Sequence, residues 1–278
     1  ILTKNEAHRI RDCIRSVQWA GEVLVIDDES TDDTGAIAQS LGARVLRRRM
    51  DIEGRHRNWA SAQATYEWIL SLDADERVTP ELAEELRDVF TRGPTHDTYA
   101  IPRRNFIGTR WIRYGGWYPS AQLRLFKKSV FRWEEAAVHP RAICDRPWAV
   151  LRHDILHYSY QDAEDFERKL DRQTTLEAHK WLTDGRTVRL SKALWRTIDR
   201  FVRSAILKQG FRDGRWGWFV AWMAGKYQWV SYVKYRQGKC QTVTSSAQPS
   251  LASQEGPEAQ GQQGCHHEDQ KDVRLSSP

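Results

Sequence analysis

The chain is poor in several things that would have made it easy to place. Its four cysteines, Cys13, Cys144, Cys240 and Cys265, are scattered and form no C-x-x-C pair. That argues against a disulfide framework or a zinc centre and suits a reducing compartment. There is no internal repeat and no recognised nucleic-acid motif. No uninterrupted apolar run approaches the ~20 residues of a membrane span; the most apolar stretch, Trp216 to Tyr235, is broken by Lys226 and Gln228. No signal peptide is visible. The sequence starts without Met, inside what reads as a first strand, so its start is expected to be clipped and the missing leader excludes little.

What is present is globular. Of the 278 residues, 40 % are hydrophobic and 29 % charged, enough for one large domain or two small ones. The net charge of +6 is unevenly placed: residues 187–240 hold 12 Lys or Arg against only Asp199 and Asp213, a local +10 that leaves −4 for the rest. Such asymmetry points to an anionic partner, nucleic acid or a membrane surface. The same stretch carries five of the 13 Trp. Trp favours the membrane–water interface and Lys and Arg attract anionic head groups, so the segment reads as an interfacial helix pair. The alternative is that these aromatics pack onto the rest of the protein and the charges face water.

The first half alternates strand and helix signals. Ile10, Ile14 and Val17 recur at helical spacing, with Asn5 a candidate N-cap. Val23 to Ile26 is a strand; Thr31 or Asp32 can cap the helix bearing Ile37, Ala38 and Leu41, which Gly42 stops. Ala43 to Leu46 is a further strand, 55–66 a helix, Trp68 to Leu72 a central strand, and Thr79-Pro80 opens the next helix. Gln122 to Phe126 reads as a strand, and 162–182 as a helix with Phe166, Leu170 and Leu176 on its apolar side. Repeated β-α-β predicts an α/β fold, a mostly parallel sheet with flanking helices. Ligands bind beyond the carboxyl ends of such strands, where Asp27, Asp73 and Asp75 fall. The run Ile69-Leu70-Ser71-Leu72-Asp73-Ala74-Asp75-Glu76 delivers two carboxylates to a strand end. Oxygen ligands of this kind suit Mg²⁺ or a similar cation shared with a substrate's phosphates; a solvated turn is the alternative.

Taken in order, Ile1-Leu2-Thr3-Lys4-Asn5-Glu6, Val23-Leu24-Val25-Ile26-Asp27-Asp28-Glu29-Ser30-Thr31-Asp32-Asp33-Thr34 and Ser71-Leu72-Asp73-Ala74-Asp75 resemble the family 2 inverting glycosyltransferases of GT-A (Rossmann-like) fold. The likeness is close over 1–130, continues to about 240, and is nearest the branch that builds the lipopolysaccharide core. It implies a nucleoside-diphosphate sugar donor, UDP- or dTDP-linked, a glycan or glycolipid acceptor, and Mg²⁺ or Mn²⁺. Asp73 and Asp75 match the D-x-D, with Asp75 the more direct metal ligand. Asp27 matches the acid that accepts from a pyrimidine imide N–H; capping the next helix is its alternative. Thr3 and Glu6 line the same pocket, Arg57 stands where a basic residue meets the nucleotide, and Gly115-Gly116 resembles a glycine loop that lets backbone approach the donor sugar. An inverting enzyme needs a base for the acceptor hydroxyl. Related sequences read Val-His-Glu where this one reads Val138-His139-Pro140, so Glu135, then Glu134, is the expected base. His157, and with less support His139, matches a histidine near the metal and diphosphate.

The expected organisation is a nucleotide-sugar-binding catalytic domain over 1–160, a basic helical acceptor- or membrane-docking region over 161–240, and a disordered tail over 241–278. The protein is expected to be cytoplasmic, peripheral on the inner face of the cell membrane, and not to bind nucleic acid. Transfer to a polyprenyl phosphate, or a non-catalytic membrane- or glycan-binding relative, remain open on the sequence.

Overall fold

The computed structural model describes residues 1–136 and 140–246, the side chains of 241–246 excepted. The chain opens with β1 (Leu2–Thr3), α1 (Ile10–Arg15), β2 (Leu24–Asp27), α2 (Thr34–Ser40), β3 (Arg44–Arg47), α3 (Glu53–Gln63), β4 (Trp68–Leu70), β5 (Glu76–Val78) and α4 (Pro80–Arg92). The strands β6 (Thr98–Ile101), β7 (Arg103–Ile107), β8 (Arg110–Trp111), β9 (Gln122–Lys127), β10 (Phe131–Trp133), β11 (Ala142–Cys144), β12 (Ala149–Val150) and β13 (Ile155–Tyr160) follow. The helices α5 (Ala163–Thr183), α6 (Leu190–Val202) and α7 (Arg215–Ser246) end the described chain.

Parallel pairs β1–β2 and β2–β3 form one edge. A bridge from Leu2 to Asp73 joins β1 to the chain leaving β4: Leu2 N donates to Leu72 O at 3.0 Å and Ala74 N to Leu2 O at 3.2 Å. With β4–β9–β6–β12 beyond, the main sheet runs β3-β2-β1-β4-β9-β6-β12. It is the expected α/β layer with one qualification. Strand β9 lies antiparallel between β4 and β6, so the sheet is mixed. The core packs Leu72, Val78, Leu82, Leu86, Ile101 and Ile155 between this sheet and α4. Ile10, Ile14, Val25 and Ala38 form a second cluster under α1 and α2.

Local chemistry explains most element ends. Thr79 caps α4 by accepting from Leu82 N at 3.2 Å, with Pro80 at the first helical position, as the sequence predicts. Asp32 accepts from Thr34 N at 3.1 Å at the start of α2. Asn5 does not cap α1, which is preceded by Arg9. It adopts a positive φ of 54°, and its side-chain oxygen accepts from Thr31 N at 2.8 Å, tying the end of β1 to the loop after β2. Leu176 is exposed, and Thr174 takes the buried position on α5.

A second sheet, β5-β13-β7-β8, sits at the carboxyl end of the first. Strand β13 runs antiparallel to β5 and parallel to β7, placing His157 opposite both Glu76 and Asn105. Helices α5 and α7 cover this sheet through Ile107, Ile112, Phe166, Leu170, Val220 and Met223. Helix α7 continues to Ser246, past the expected end of the helical region at 240. Among the described residues no helix is long and apolar enough to cross a membrane.

Candidate active site

The parallel strands β1 and β2 end side by side, pairing Thr3 with Asp27. Asp27 is buried; its Oδ1 accepts from Ser30 N at 2.9 Å and its Oδ2 lies 3.6 Å from Arg47 Nε. Asp27 thus stiffens the turn after β2, but at Ser30, ahead of α2, so it does not cap that helix. Asp28 beside it accepts from Met50 N at 2.7 Å and pairs with Lys4 at 2.9 Å. These bonds outweigh burial and hold its carboxyl below the usual range. Thr3 Oγ1 is buried without a hydrogen-bond partner among the described residues.

The Asp73–Glu76 turn links the two sheets and carries a dense charge network. Asp73 meets Arg57 Nη2 through Oδ1 at 3.2 Å and Arg124 Nη2 through Oδ2 at 2.8 Å. Desolvation alone would raise its pKa, but the two guanidiniums bring it far below the ordinary carboxylate value. Glu76 is fully buried, accepts from Arg124 at 2.6 Å and Arg103 at 3.2 Å, and its Oε2 accepts from Asp73 N at 3.0 Å. Burial would lower the Arg124 guanidinium, yet Glu76 and Asp73 raise it above its ordinary value. Arg57 also pairs with Glu53 at 3.0 Å and lies over the Trp133 ring at 5.2 Å, while its Nη1 is buried without a hydrogen-bond partner among the described residues.

Asp75 is placed differently. Its Oδ2 lies 3.5 Å from His157 Nε2 and 3.8 Å from Arg9 Nη1. The Asn105 amide donates to Trp117 O at 2.7 Å, which turns its Oδ1 toward His157 Nδ1, also at 2.7 Å. A neutral His157 therefore carries its proton on Nδ1 and presents the Nε2 lone pair to Asp75. Ser159 Oγ adds a contact to Nδ1 at 3.0 Å. A carboxylate oxygen and an imidazole lone pair facing each other could supply two ligands to a cation, oriented by a hydrogen bond behind the ring. Among the described residues no three His, Cys, Asp or Glu converge on one point. Two protein ligands nonetheless suit a cation that takes its other oxygens from phosphate and water. Glu6 is nearby: Arg9 Nη1 lies 3.8 Å from its Oε2, which is buried without a hydrogen-bond partner among the described residues. Desolvation, reinforced by Asp75, raises its pKa despite Arg9.

The two acids expected to act as base follow β10. Asn58 on α3 brackets Trp133, donating to its carbonyl at 2.9 Å and accepting from its N–H at 2.8 Å. Helix α3 abuts the next residue so tightly that a Cβ on Gly54 would stand 1.8 Å from Glu134 O. Arg57 and Asn58 on one helix therefore connect Asp73 to this segment. Glu134 is bound by Arg141 at 2.8 and 3.0 Å, and those hydrogen bonds bring its pKa down to about 2. Glu135, more than half exposed, has Arg55 at 3.4 Å. His139 lies outside the described residues.

Gly115 and Gly116 both have positive φ, 69° and 85°. The structure gives them a local cause: Gly115 N donates to Lys208 O at 2.9 Å, and a Cβ on Gly116 would meet the Lys208 side chain at 2.6 Å. Trp117 O, just beyond, is the atom that orients Asn105.

Sequence reasoning did not single out Arg9, Glu76, Arg103, Asn105 or Arg124. One signal was available for Arg124: an arginine between Leu123 and Leu125 in an apolar strand must find an acid or face water.

Comparison with known proteins adds the following. The sequence model of "Glycosyl transferase family 2" matches residues 1–154. The lipopolysaccharide core biosynthesis glycosyltransferase LpsC of Rhizobium meliloti is 23 % identical over 248 residues, 85 % of this chain and 90 % of LpsC. An uncharacterized glycosyltransferase of Rickettsia felis is 44 % identical over 91 residues. That match spans only 32 % of the length of either chain. The crystal structure of S. aureus TarS 1–349 in complex with UDP overlaps 85 % of this chain and 90 % of its own, at 16 % identity and a TM-score of 0.44. That superposition is too loose to carry an argument.

Proposed function

The chain belongs to glycosyl transferase family 2, and we propose that it moves a sugar, with inversion, from a UDP- or dTDP-sugar to a glycan or glycolipid acceptor of the lipopolysaccharide-core type. One observation carries the reading. Asp75 Oδ2 and His157 Nε2 face each other at 3.5 Å, with the imidazole oriented from behind by Asn105 and Asp73 set two residues before Asp75. The likeness to LpsC along most of both chains supports the acceptor class.

Asp75 and His157 would hold Mg²⁺ or Mn²⁺; Asp73, whose oxygens are engaged by Arg57 and Arg124, contributes mainly negative charge and position. When bound, the cation offsets the charge that develops on the departing diphosphate. Arg57, ion-paired with Asp73, would set its positive charge beside the same anion. Asp27 and Thr3, at the ends of β2 and β1, take the base and ribose side of the nucleotide. Glu135 accepts the proton of the acceptor hydroxyl; Glu134, ion-paired and with a pKa near 2, is the poorer base.

The test is donor turnover. A panel of UDP- and dTDP-sugars is incubated with the protein with and without Mn²⁺, and released nucleoside diphosphate is measured. Turnover that requires the metal and is lost in Asp75→Asn supports the reading. Turnover indifferent to EDTA removes the metal role, and no turnover with any donor removes the enzyme.

A further inference from the structure

Among the described residues, helices α6 and α7 leave one face without a protein partner. On α6, Ala193 is buried against the helical layer. The opposite side exposes Leu194, Trp195, Ile198 and Val202 at helical spacing. The stripe continues through the junction with α7, where Leu207 is 68 % exposed, and onto α7 at Trp222, 61 % exposed; Trp195 is 67 % exposed. A row of large apolar side chains this open on a well-packed helix pair is unusual for a surface that faces only water.

Charge identifies what covers it. The segment is +10, and both of its acids are already engaged. Asp199 pairs with Arg203 at 3.0 Å, while buried Asp213 accepts from the backbone N–H groups of Arg113 and Tyr114 at 2.9 and 2.8 Å. Lys192 is exposed on α6, one helical step from Trp195 at the edge of the apolar stripe. A second copy of this chain would set one such field against another, so self-association through this face is electrostatically opposed. An apolar row with Trp, edged by Lys192 in a basic segment and too interrupted to span, matches the head-group boundary of an anionic bilayer.

We propose that the exposed face of α6, the 203–213 junction and the first turns of α7 is a docking surface for an anionic lipid bilayer. The junction also grips the loop beside the candidate site. Lys208 O accepts from Gly115 N at 2.9 Å and Ser204 Oγ donates to Gly115 O at 3.3 Å. Two residues on, Trp117 O holds Asn105, which in turn holds His157. A docked protein therefore presents its site at a fixed height above the lipid, where an acceptor anchored in that lipid can reach it. Docking itself does not depend on the transferase reading, which supplies only the nature of the acceptor.

The experiment is co-sedimentation of the full chain with vesicles of phosphatidylglycerol and phosphatidylethanolamine, and with phosphatidylcholine vesicles as the neutral control. The protein should pellet with the anionic vesicles, weakly with the neutral ones, and less as salt rises. Trp195→Ser and Leu207→Ser, both at open positions, should each weaken partition about tenfold. Lys192→Glu should weaken it by about fivefold or more. All three should keep the wild-type thermal unfolding profile and donor turnover in solution. Protein that stays in the supernatant with anionic vesicles overturns the proposal. So does a Trp195→Ser, Leu207→Ser double variant that binds like wild type, or a concentration-dependent dimer that this double variant abolishes. Failure of docking with donor turnover intact leaves the transferase reading standing; docking without turnover does the reverse.

Discussion

Replacing Glu76 by alanine should be among the most damaging single changes to the fold. Its carboxylate is fully buried and accepts from Arg124 at 2.6 Å, Arg103 at 3.2 Å and Asp73 N at 3.0 Å. Without it, Arg124, itself only 4 % exposed, keeps a single anionic partner, Asp73. Removing one side of a buried, hydrogen-bonded ion pair costs about 3–5 kcal/mol, because the remaining charge stays desolvated. For a chain of this size each kcal/mol shifts Tm by about 2–4 °C, so the midpoint should fall by roughly 6–20 °C. Urea unfolding at constant m should give the free energy directly. Glu76→Gln, which keeps the volume and one acceptor, should lose less than alanine. A cost below about 1 kcal/mol for Glu76→Ala, the level of an exposed pair, would refute the buried network as described.

Three further outcomes follow from particular contacts. Gly54→Ala places a methyl 1.8 Å from Glu134 O; the forced shift should cost about 1–3 kcal/mol and reduce turnover more than donor binding, measured by steady-state kinetics and nucleotide titration. Burial, with Glu76, Asp75 and Asp73 nearby, pushes the Cys13 thiol up to about 12, so iodoacetamide at pH 8 should leave Cys13 unmodified in the native protein and alkylate it in urea, read by peptide mass spectrometry. The Glu134 carboxyl is lowered from 4.5 to about 2 by Arg141. Its stabilising share is complete above pH 4.5 and is lost as pH falls toward 2, so Glu134→Gln should lower Tm slightly at neutral pH, flatten the acid limb of the Tm–pH profile between 4.5 and 2, and converge on wild type near pH 2.

What could be read from the chain follows how local each signal is. Strand β2, helix α4 and its Thr79 cap are written in a handful of adjacent residues, and the D-x-D turn lies at the end of a short apolar run. Asn5 resembles a cap in one dimension, but its side chain reaches Thr31, 26 residues on, because the end of β1 needs a left-handed residue there. Arg124 meets Asp73 across 51 residues, and His157 meets Asn105 across 52. Only the pairing of β13 between β5 and β7 brings the latter together, and nothing in the sequence of β13 announces that register. Helix α5 buries Thr174 and exposes Leu176 because it packs on α7 along a face that hydrophobicity alone does not select.

The central claim is that Asp75 and His157 share a divalent cation with a nucleotide diphosphate. Thermal unfolding with UDP and Mn²⁺, added singly and together, tests it most directly. The account predicts a rise in Tm when both are present that is much larger than the sum of the two alone, and its loss in Asp75→Asn and His157→Ala. A UDP-induced shift of the same size in EDTA, or one that survives both substitutions, would contradict it.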